Sequence, residues 1–111
     1  MIYFIELWNA KSSWKSLSEE QRSDYMQGVV VKIQTLLDNG AGVTTCSFND
    51  ISTSNRAKYE YMAIWNFPNQ DAANNFQRVV QDADWYQYFD QINAMGKLDS
   101  VENIIGALIQ N

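Results

Sequence analysis

The sequence predicts an α+β protein in which helices cover one face of a four-stranded antiparallel sheet. Two stretches place apolar residues at helical spacing, and runs of branched and aromatic residues, typical of strands, flank each stretch. The segment order is β-α-β-β-α-β with a further helix after it, which is a split βαβ arrangement. A chain of 111 residues has the size of one domain, so we expect residues 1–111 to fold as a single unit.

The first half of the chain predicts a strand, a helix and a second strand. The run Ile2–Trp8 is rich in aromatic and branched residues and lacks the basic start of a signal peptide, so it indicates a strand. Ser18 and Gln21 form a capping box at the start of a helix, and Asn39-Gly40 is typical of its left-handed end. Gly42–Asn49 favours a second strand. The helix would bury a stripe of apolar residues, namely Tyr25, Met26, Val29, Val30, Ile33, Leu36 and Leu37.

A third strand and a second helix are predicted next. Tyr59–Phe67 would pair antiparallel to the second strand across a polar loop, Asp50–Lys58. Pro68 ends this strand because proline cannot donate to a ladder, and Asn69 is a favourable N-cap. The helix that follows has an apolar face made of Ala72, Ala73, Phe76, Val79, Val80 and Ala83.

The last part of the chain predicts a turn, a strand and a helix. Residues 84–90 are too aromatic for a solvent loop and indicate a short helical turn, which leads to a fourth strand over Gln91–Leu98. Asp99 and Glu102 form a second capping box. The helix that they begin has an apolar stripe made of Val101, Ile104, Ile105, Leu108 and Ile109.

Both faces of the predicted sheet carry large apolar side chains. The two faces of the first strand are Tyr3, Ile5 and Leu7, and Phe4, Glu6 and Trp8. Those of the third are Met62 and Ile64, and Tyr59, Tyr61, Ala63, Trp65 and Phe67. The helices cover only one face, and the other would be costly in water at about 25 cal/mol per Å² of apolar surface. We therefore expect a second copy to pack against it as a homodimer.

This topology resembles the dimeric α+β barrel superfamily, whose members pair two ferredoxin-like sheets into a shared barrel. The resemblance covers nearly the whole chain and implies a ferredoxin-like βαββαβ domain with a C-terminal helix. Three blocks, Glu6-Leu7-Trp8, Trp65-Asn66-Phe67-Pro68 and the segment from Trp85 to Asn93, resemble a small, functionally uncharacterised bacterial family.

The superfamily resemblance implies a cleft between sheet and helices in which a small molecule binds. Some members are cofactor-independent monooxygenases that use Asn, Trp and Tyr, and Trp65 lies where those proteins often carry a tryptophan. The haem-degrading branch needs a histidine on the helix side, and this sequence has none. The resemblance therefore implies a small-molecule ligand and no cofactor.

The composition excludes several classes of function. The absence of histidine removes Ser-His and Cys-His nucleophiles, an imidazole base and histidine-ligated metals. A formal net charge of −5 argues against nucleic-acid binding, which needs a basic face. No apolar run approaches the ~18 to 20 residues that cross a bilayer, so we expect no membrane partner. The single cysteine, Cys46, cannot form an internal disulfide, so we expect a cytoplasmic protein with Cys46 as a small buried residue.

Glu6 is the predicted catalytic residue. It is a carboxylate inside an apolar strand, on the same face as Phe4 and Trp8. An apolar cleft would raise its pKa and suit it to donate or accept a proton. The alternative is a structural carboxylate that pairs with Lys97 or Arg78, or that forms hydrogen bonds at a dimer seam.

Aromatic and amide side chains are the predicted ligand-binding residues. They are Trp8, Tyr61, Trp65, Tyr88 and Asn93. Stacking on a flat ligand and hydrogen bonding to its carbonyl group are the expected interactions. The alternatives are core or dimer packing for the aromatic ladder, a hydrophobic plug for the segment from Trp85 to Phe89, and a buried amide that satisfies the backbone for Asn93.

Two functions from different classes fit these residues. The first is an enzyme or binding protein for a small aromatic or carbonyl-bearing molecule, isomerase-like or resembling the cofactor-independent monooxygenases, in which Glu6 moves a proton. The second is a non-catalytic homodimer whose aromatic sheet face is only an interface. A cavity lined by Glu6 and Trp65 favours the first function, and a solidly packed sheet face favours the second.

Overall fold

The computed structural model describes residues 1–52 and 54–111. The strands are β1 (Ile2–Ala10), β2 (Gly42–Phe48), β3 (Tyr61–Phe67) and β4 (Phe89–Lys97). The helices are α1 (Ser12–Lys15), α2 (Glu19–Asp38), α3 (Gln70–Asp82), α4 (Trp85–Tyr88) and α5 (Val101–Gln110). The predicted loop Asp50–Lys58 includes Thr53, which lies outside the described residues.

The four strands form one antiparallel sheet in the order β2-β3-β1-β4. This order confirms the ferredoxin-like βαββαβ fold, because α2 and α3 each connect an inner strand to an edge strand across the sheet. The register places Glu6 of β1 opposite Ala63 of β3 and Asn93 of β4. Facing residues on neighbouring strands share a side of the sheet, so Asn93 and Glu6 lie side by side.

The core lies between the sheet and the helices α2 and α3. Phe67 is 1% exposed and packs with Trp65 and with Phe76 of α3. The ring centroid of Phe76 lies 5.1 Å from that of Phe67 and 4.8 Å from that of Trp65. The sheet face with these aromatic rings is therefore covered by the protein's own helices. This corrects the hypothesis that the aromatic face is only a dimer interface.

The local signals that begin and end the long helices are confirmed. Ser18 and Gln21 form the capping box of α2, and the side chain of Asn69 accepts a hydrogen bond from the backbone of Ala72 at the start of α3. Gly40, just after α2, has a φ of 98°, which a residue with a Cβ rarely adopts.

The start of β3 differs from the prediction because side chains bond the segment before it. Asn9 donates to the carbonyl of Lys58 at 3.2 Å and accepts from the amide of Glu60 at 2.8 Å. Asn49 donates to the carbonyl of Tyr59 at 2.8 Å. These side chains satisfy backbone groups that a ladder would otherwise bond, so β3 begins at Tyr61.

Three further boundaries are corrected by local hydrogen bonds. The sequence reading missed α1, a single turn in which Ser16 donates to the carbonyl of Ser12. It also began β4 two residues late, since the strand starts at Phe89. The N-cap of α5 is Ser100, whose hydroxyl accepts from the amide of Asn103. Asp99, the predicted cap, lies one position too early and instead accepts from the Ser100 amide.

Apolar side chains cover the sheet face away from the helices, which we call the open face. Its larger residues are Tyr3, Ile5, Leu7, Met62, Ile64 and Ile92. Helix α5 adds a second apolar surface, because its five large apolar residues are 50 to 80% exposed. Among the described helices, none is long and apolar enough to cross a membrane.

The helix side of β2 is also left uncovered. Phe48 is 86% exposed, and Cys46 on the same strand is exposed, so the prediction of a buried cysteine is wrong. The physical reason is that β2 is an edge strand, beyond the part of the sheet on which α2 and α3 pack.

Candidate functional site

A small cavity of about 80 Å³ lies between the sheet and the helices α2 and α3. Glu6 of β1 and Trp65 of β3 line its sheet side. Its helix side is apolar, with Ile33 of α2 and Val80 of α3, and Trp85 of α4 completes it. The amphipathic patterns of α2 and α3 create this space, because both helices direct branched side chains at the sheet.

Glu6 is a buried carboxylate held by two neutral donors. It is 7% exposed, and it is the one buried residue with a polar side chain among those described. The indole N–H of Trp65 donates to Oε1 at 2.8 Å, and Nε2 of Gln91 donates to Oε2 at 2.8 Å. Within residues 1–52 and 54–111, neither Lys97 nor Arg78 pairs with it, so the predicted ion pair is not formed.

Burial raises the pKa of Glu6 above its ordinary value, since an apolar site disfavours the charged form. The hydrogen bonds from Gln91 and Trp65 favour the carboxylate and offset only part of this effect. Glu6 is therefore easier to protonate than a carboxyl group in water, which suits it to accept and return a proton.

Gln91 fixes the orientation of the carboxylate. The indole N–H of Trp85 can only donate, and it donates to Oε1 of Gln91 at 2.8 Å. The amide nitrogen of Gln91 must therefore face the other way, towards Glu6 and towards Oδ1 of Asn93 at 2.7 Å. Every buried side-chain nitrogen and oxygen among the described residues has a hydrogen-bond partner, so this network is complete.

The structure brings together part of the predicted ligand-binding set. Trp65 contacts Glu6 in the cavity. Asn93 is connected to Glu6 through the amide of Gln91, but the cavity is lined by other residues of the described chain. Asn93 also donates to the hydroxyl of Tyr86 at 3.4 Å, which extends the network towards solvent.

The other predicted ligand-binding residues lie elsewhere. Trp8 and Tyr61 stack with ring centroids 5.8 Å apart and line a separate hollow beside Cys46. Tyr88 packs against Trp14 and Tyr25, with centroids 5.4 and 4.9 Å away, and the cavity at Glu6 is lined by other residues of the described chain. Tyr88 thus fits the plug that was its alternative.

Sequence reasoning missed Gln91 and Lys32. Gln91 lies two residues before Asn93 and opposite Trp8, so strand parity places it on the Glu6 side of the sheet. That signal was readable once Glu6 had been singled out. Lys32 lines the cavity from α2, but its position in the helix carries no local mark of such a role. Among the described residues, no three His, Cys, Asp or Glu side chains are grouped to hold a metal ion.

Comparison with known proteins identifies a family without a known activity. The signature of a family of unknown function, DUF6616, matches residues 1–111. The chain belongs to this family. No curated protein sequence matches the chain significantly.

Solved structures show the same fold at low sequence identity. The crystal structure of TA0507, a protein assigned as a chlorite dismutase, matches 96% of this chain with a TM-score of 0.68 and 14% identity. The match spans 48% of TA0507, so this chain has about half its length. At3g17210 from Arabidopsis thaliana matches 91% of this chain and is itself covered to 98%, with a TM-score of 0.59 and 14% identity. Its solution structure gives a TM-score of 0.53 at 15% identity, covering 90% of this chain and 89% of that one.

These likenesses establish the α+β fold with a ferredoxin-like sheet, in agreement with the superfamily that the sequence resembles. The bacterial source and the cytoplasmic location stay predictions.

Proposed function

We propose that the chain binds a small carbonyl-bearing molecule between sheet and helices, and that Glu6 transfers a proton to and from it. The observation that carries this proposal is a buried carboxylate that borders an apolar cavity and is held by neutral donors alone. Among the described residues no cation pairs with Glu6, and water does not reach most of its side chain, so a charged carboxylate at this position is costly to keep.

The size of the cavity favours a short carbonyl chain over an aromatic ring. An apolar cavity of about 150 Å³ holds one benzene molecule. The space at Glu6 is about 80 Å³, roughly half of that, so it takes the end of a molecule and not a whole ring.

The reaction that these groups support is an isomerisation. The Glu6 carboxylate removes a proton from the carbon beside a carbonyl, and the electron pair of that C–H bond forms the enolate. The protonated Glu6 then returns the proton to a different carbon, which moves a double bond along the substrate. Atoms and electrons balance within substrate and protein, and no oxidant is consumed.

Binding is tested by thermal shift with a panel of short open-chain ketones and aldehydes, together with quinones, phenols and lactones as ring compounds. We expect at least one open-chain carbonyl compound to raise the melting temperature, and the Glu6→Gln variant to lose that rise. Glu60→Gln is the matched control, because Glu60 is exposed in the segment before β3. A panel that leaves the wild type unshifted would contradict the proposal.

Proton transfer is tested on any compound that binds. In D₂O the wild type should exchange the proton beside the carbonyl, and Glu6→Gln should slow this exchange by about 10²-fold or more. Consumption of dioxygen with the same compound would instead assign the monooxygenase-like reaction. Binding without either reaction would reduce the proposal to a binding protein.

The haem chemistry of one branch of the superfamily does not fit this chain. A porphyrin is much larger than the cavity of about 80 Å³ at Glu6. The sequence also has no histidine to ligate a haem iron on the helix side.

We also propose that two copies of the chain form a homodimer through the open face. The open face is apolar although none of the helices in residues 1–52 and 54–111 covers it, and Ile92 on it is 49% exposed. The twofold length of TA0507 supports this proposal, because a pair of these chains has the length of one such chain. Light scattering at micromolar concentration should give the mass of a dimer, and a monomer mass would overturn the proposal.

A further inference from the structure

A second space lies next to the cavity at Glu6. It is a groove of about 420 Å³ between α2 and α3. Lys32, Leu36 and Val79 line both the cavity and the groove, so the two spaces are adjacent at these residues. A molecule that extends from the cavity into the groove therefore passes these three side chains.

The groove differs in chemistry from the cavity. Polar side chains from both helices line it, among them Thr35 of α2 and Asn39 just after it, and Asn75 and Asp82 of α3. The side chains of Lys32, Asn75 and Asp82 make no hydrogen bond or ion pair with any residue in 1–52 or 54–111. The groove therefore offers uncommitted polar groups, whereas the network around Glu6 is already complete.

Lys32 is the cation that lines the junction of the two spaces. In a chain with a net charge of −5, a lysine placed there favours an anionic group on the ligand. Asp82 lines the groove as well and disfavours a second anion further out. A ligand with one carboxylate, placed at the junction, satisfies both conditions.

We infer that the ligand is an oxo acid, whose carbonyl end lies in the cavity at Glu6 and whose carboxylate pairs with Lys32 where the cavity meets the groove. This inference rests on the proposed function, since it assigns the substrate class of the same site. It adds Lys32 as a residue that determines specificity.

The experiment compares ligands that differ only at the carboxylate. The probes are 4-oxopentanoate against 2-pentanone and 6-oxoheptanoate against 2-heptanone, each ketone carrying a methyl group in place of the carboxylate. The chain has four tryptophans, so it gives four indole N–H signals in a ¹⁵N–¹H spectrum. The signals of Trp65 and Trp85, assigned with single Trp→Phe variants, report directly on the hydrogen bonds to Glu6 and Gln91.

We expect at least one oxo acid to shift both signals and to bind about twofold to fivefold more tightly than its ketone, the range for an ion pair of an exposed lysine. Lys32→Gln, which keeps most of the side-chain stem, should remove this preference, so that the oxo acid and its ketone bind with equal affinity. Lys15→Gln is the charge-matched control, because Lys15 is exposed on α1. That variant should keep the preference.

The outcomes separate this inference from the proposed function. Equal affinity for oxo acid and ketone, or a preference that survives Lys32→Gln, would overturn the inference and leave the carbonyl site at Glu6 standing. Failure of all four probes to move the two indole signals would overturn the proposed carbonyl site together with the inference.

Discussion

The protonation of Glu6 couples the candidate site to the stability of the whole chain. Burial raises the pKa of Glu6 in the folded state, so the folded chain holds a proton that the unfolded chain has already released. At pH values below the pKa of Glu6 in the unfolded chain, Glu6 is protonated in both states, and its titration does not change the free energy of unfolding. As the pH rises towards the folded pKa, the free energy of unfolding falls, because ionisation favours the unfolded chain.

The first prediction follows from this sign. Glu6→Gln removes the titration but leaves one of the two donors, Trp65 or Gln91, without its acceptor, which costs about 1–3 kcal/mol at low pH. We expect the variant to recover stability relative to the wild type as the pH rises above the ordinary range for glutamate. Urea unfolding of both proteins at several pH values measures this, and a constant difference would contradict a raised pKa.

A second prediction concerns Gln91. Gln91→Leu removes the acceptor of the Trp85 indole and a donor to Glu6, so it should cost about 1–3 kcal/mol and raise the pKa of Glu6 further. The ¹³C titration of the Glu6 carboxyl and urea unfolding measure the two effects. Gln27→Leu, at an exposed position of α2, is the control and should change neither. An unchanged Glu6 titration in Gln91→Leu would contradict the role given to Gln91.

The sequence predicted which residue types form the site better than it predicted which of them lie close together. Glu6 and Trp65 were found from strand parity, because a lone carboxylate in an apolar strand departs from the pattern around it. Tyr88 was predicted to lie at the ligand, but it belongs to the single turn α4. In a helix the side-chain direction turns by about 100° from one residue to the next, and a single turn is too short for a pattern that shows which side faces the core. Lys32 could not be predicted, since an exposed lysine on a helix is common and the residues that face it across the cavity are known only from the structure.

Among the elements, α2 and α3 position the helix side of the cavity, and one hydrogen bond joins them directly. The hydroxyl of Tyr25 on α2 donates at 2.6 Å to the carbonyl of Ala83, just after α3. Burial, with the nearby charge of Asp84 and the neighbouring Tyr88, raises the pKa of Tyr25 to about 12. This contact keeps the end of α3 against α2.

The third prediction tests this contact. Tyr25→Phe should lower the free energy of unfolding by about 1 kcal/mol at neutral pH, since it leaves the Ala83 carbonyl without that donor. In the wild type the pKa of Tyr25 is near its ordinary value of 10.0 in the unfolded chain and about 12 in the folded chain, so stability is lost between these pH values. Tyr25→Phe should not show that loss. Tyr3→Phe on the open face is the control, and equal pH profiles for Tyr25→Phe and wild type would contradict the contact.

The elements were predicted where caps and long amphipathic patterns agree, as at both ends of α2. The predicted buried stripe of α2 was too wide, because Val30 and Leu37 are 62% and 38% exposed. They were misjudged where side chains from distant segments replace backbone partners. Asn9 and Asn49 bond the chain just before β3, and neither shows in the local pattern of residues 59 and 60. Local sequence patterns do not show hydrogen bonds that side chains from distant segments make to backbone groups.

At the scale of the whole molecule, one chain leaves two apolar surfaces uncovered, the open face and α5. The sequence predicted an apolar sheet face that a second copy covers. In one alternative, the aromatic rings of β3 formed that dimer interface. The rings of Trp65 and Phe67 belong to the core instead, and the open face is mainly aliphatic. The proposed dimer therefore leaves the cavity at Glu6 untouched, because the two lie on opposite sides of the sheet.

The fourth prediction tests whether the open face forms the dimer independently of the cavity at Glu6. Ile92→Lys places a charge on the open face, in the edge strand β4, where burial in the proposed interface would leave it without a partner, so the chain should become monomeric at micromolar concentration. Val30→Lys, at a 62% exposed position of α2, is the control and should remain dimeric. Light scattering gives both masses. The Trp65 and Trp85 indole signals should keep their positions in the monomer, and their displacement in Ile92→Lys would show that the site at Glu6 depends on the second copy.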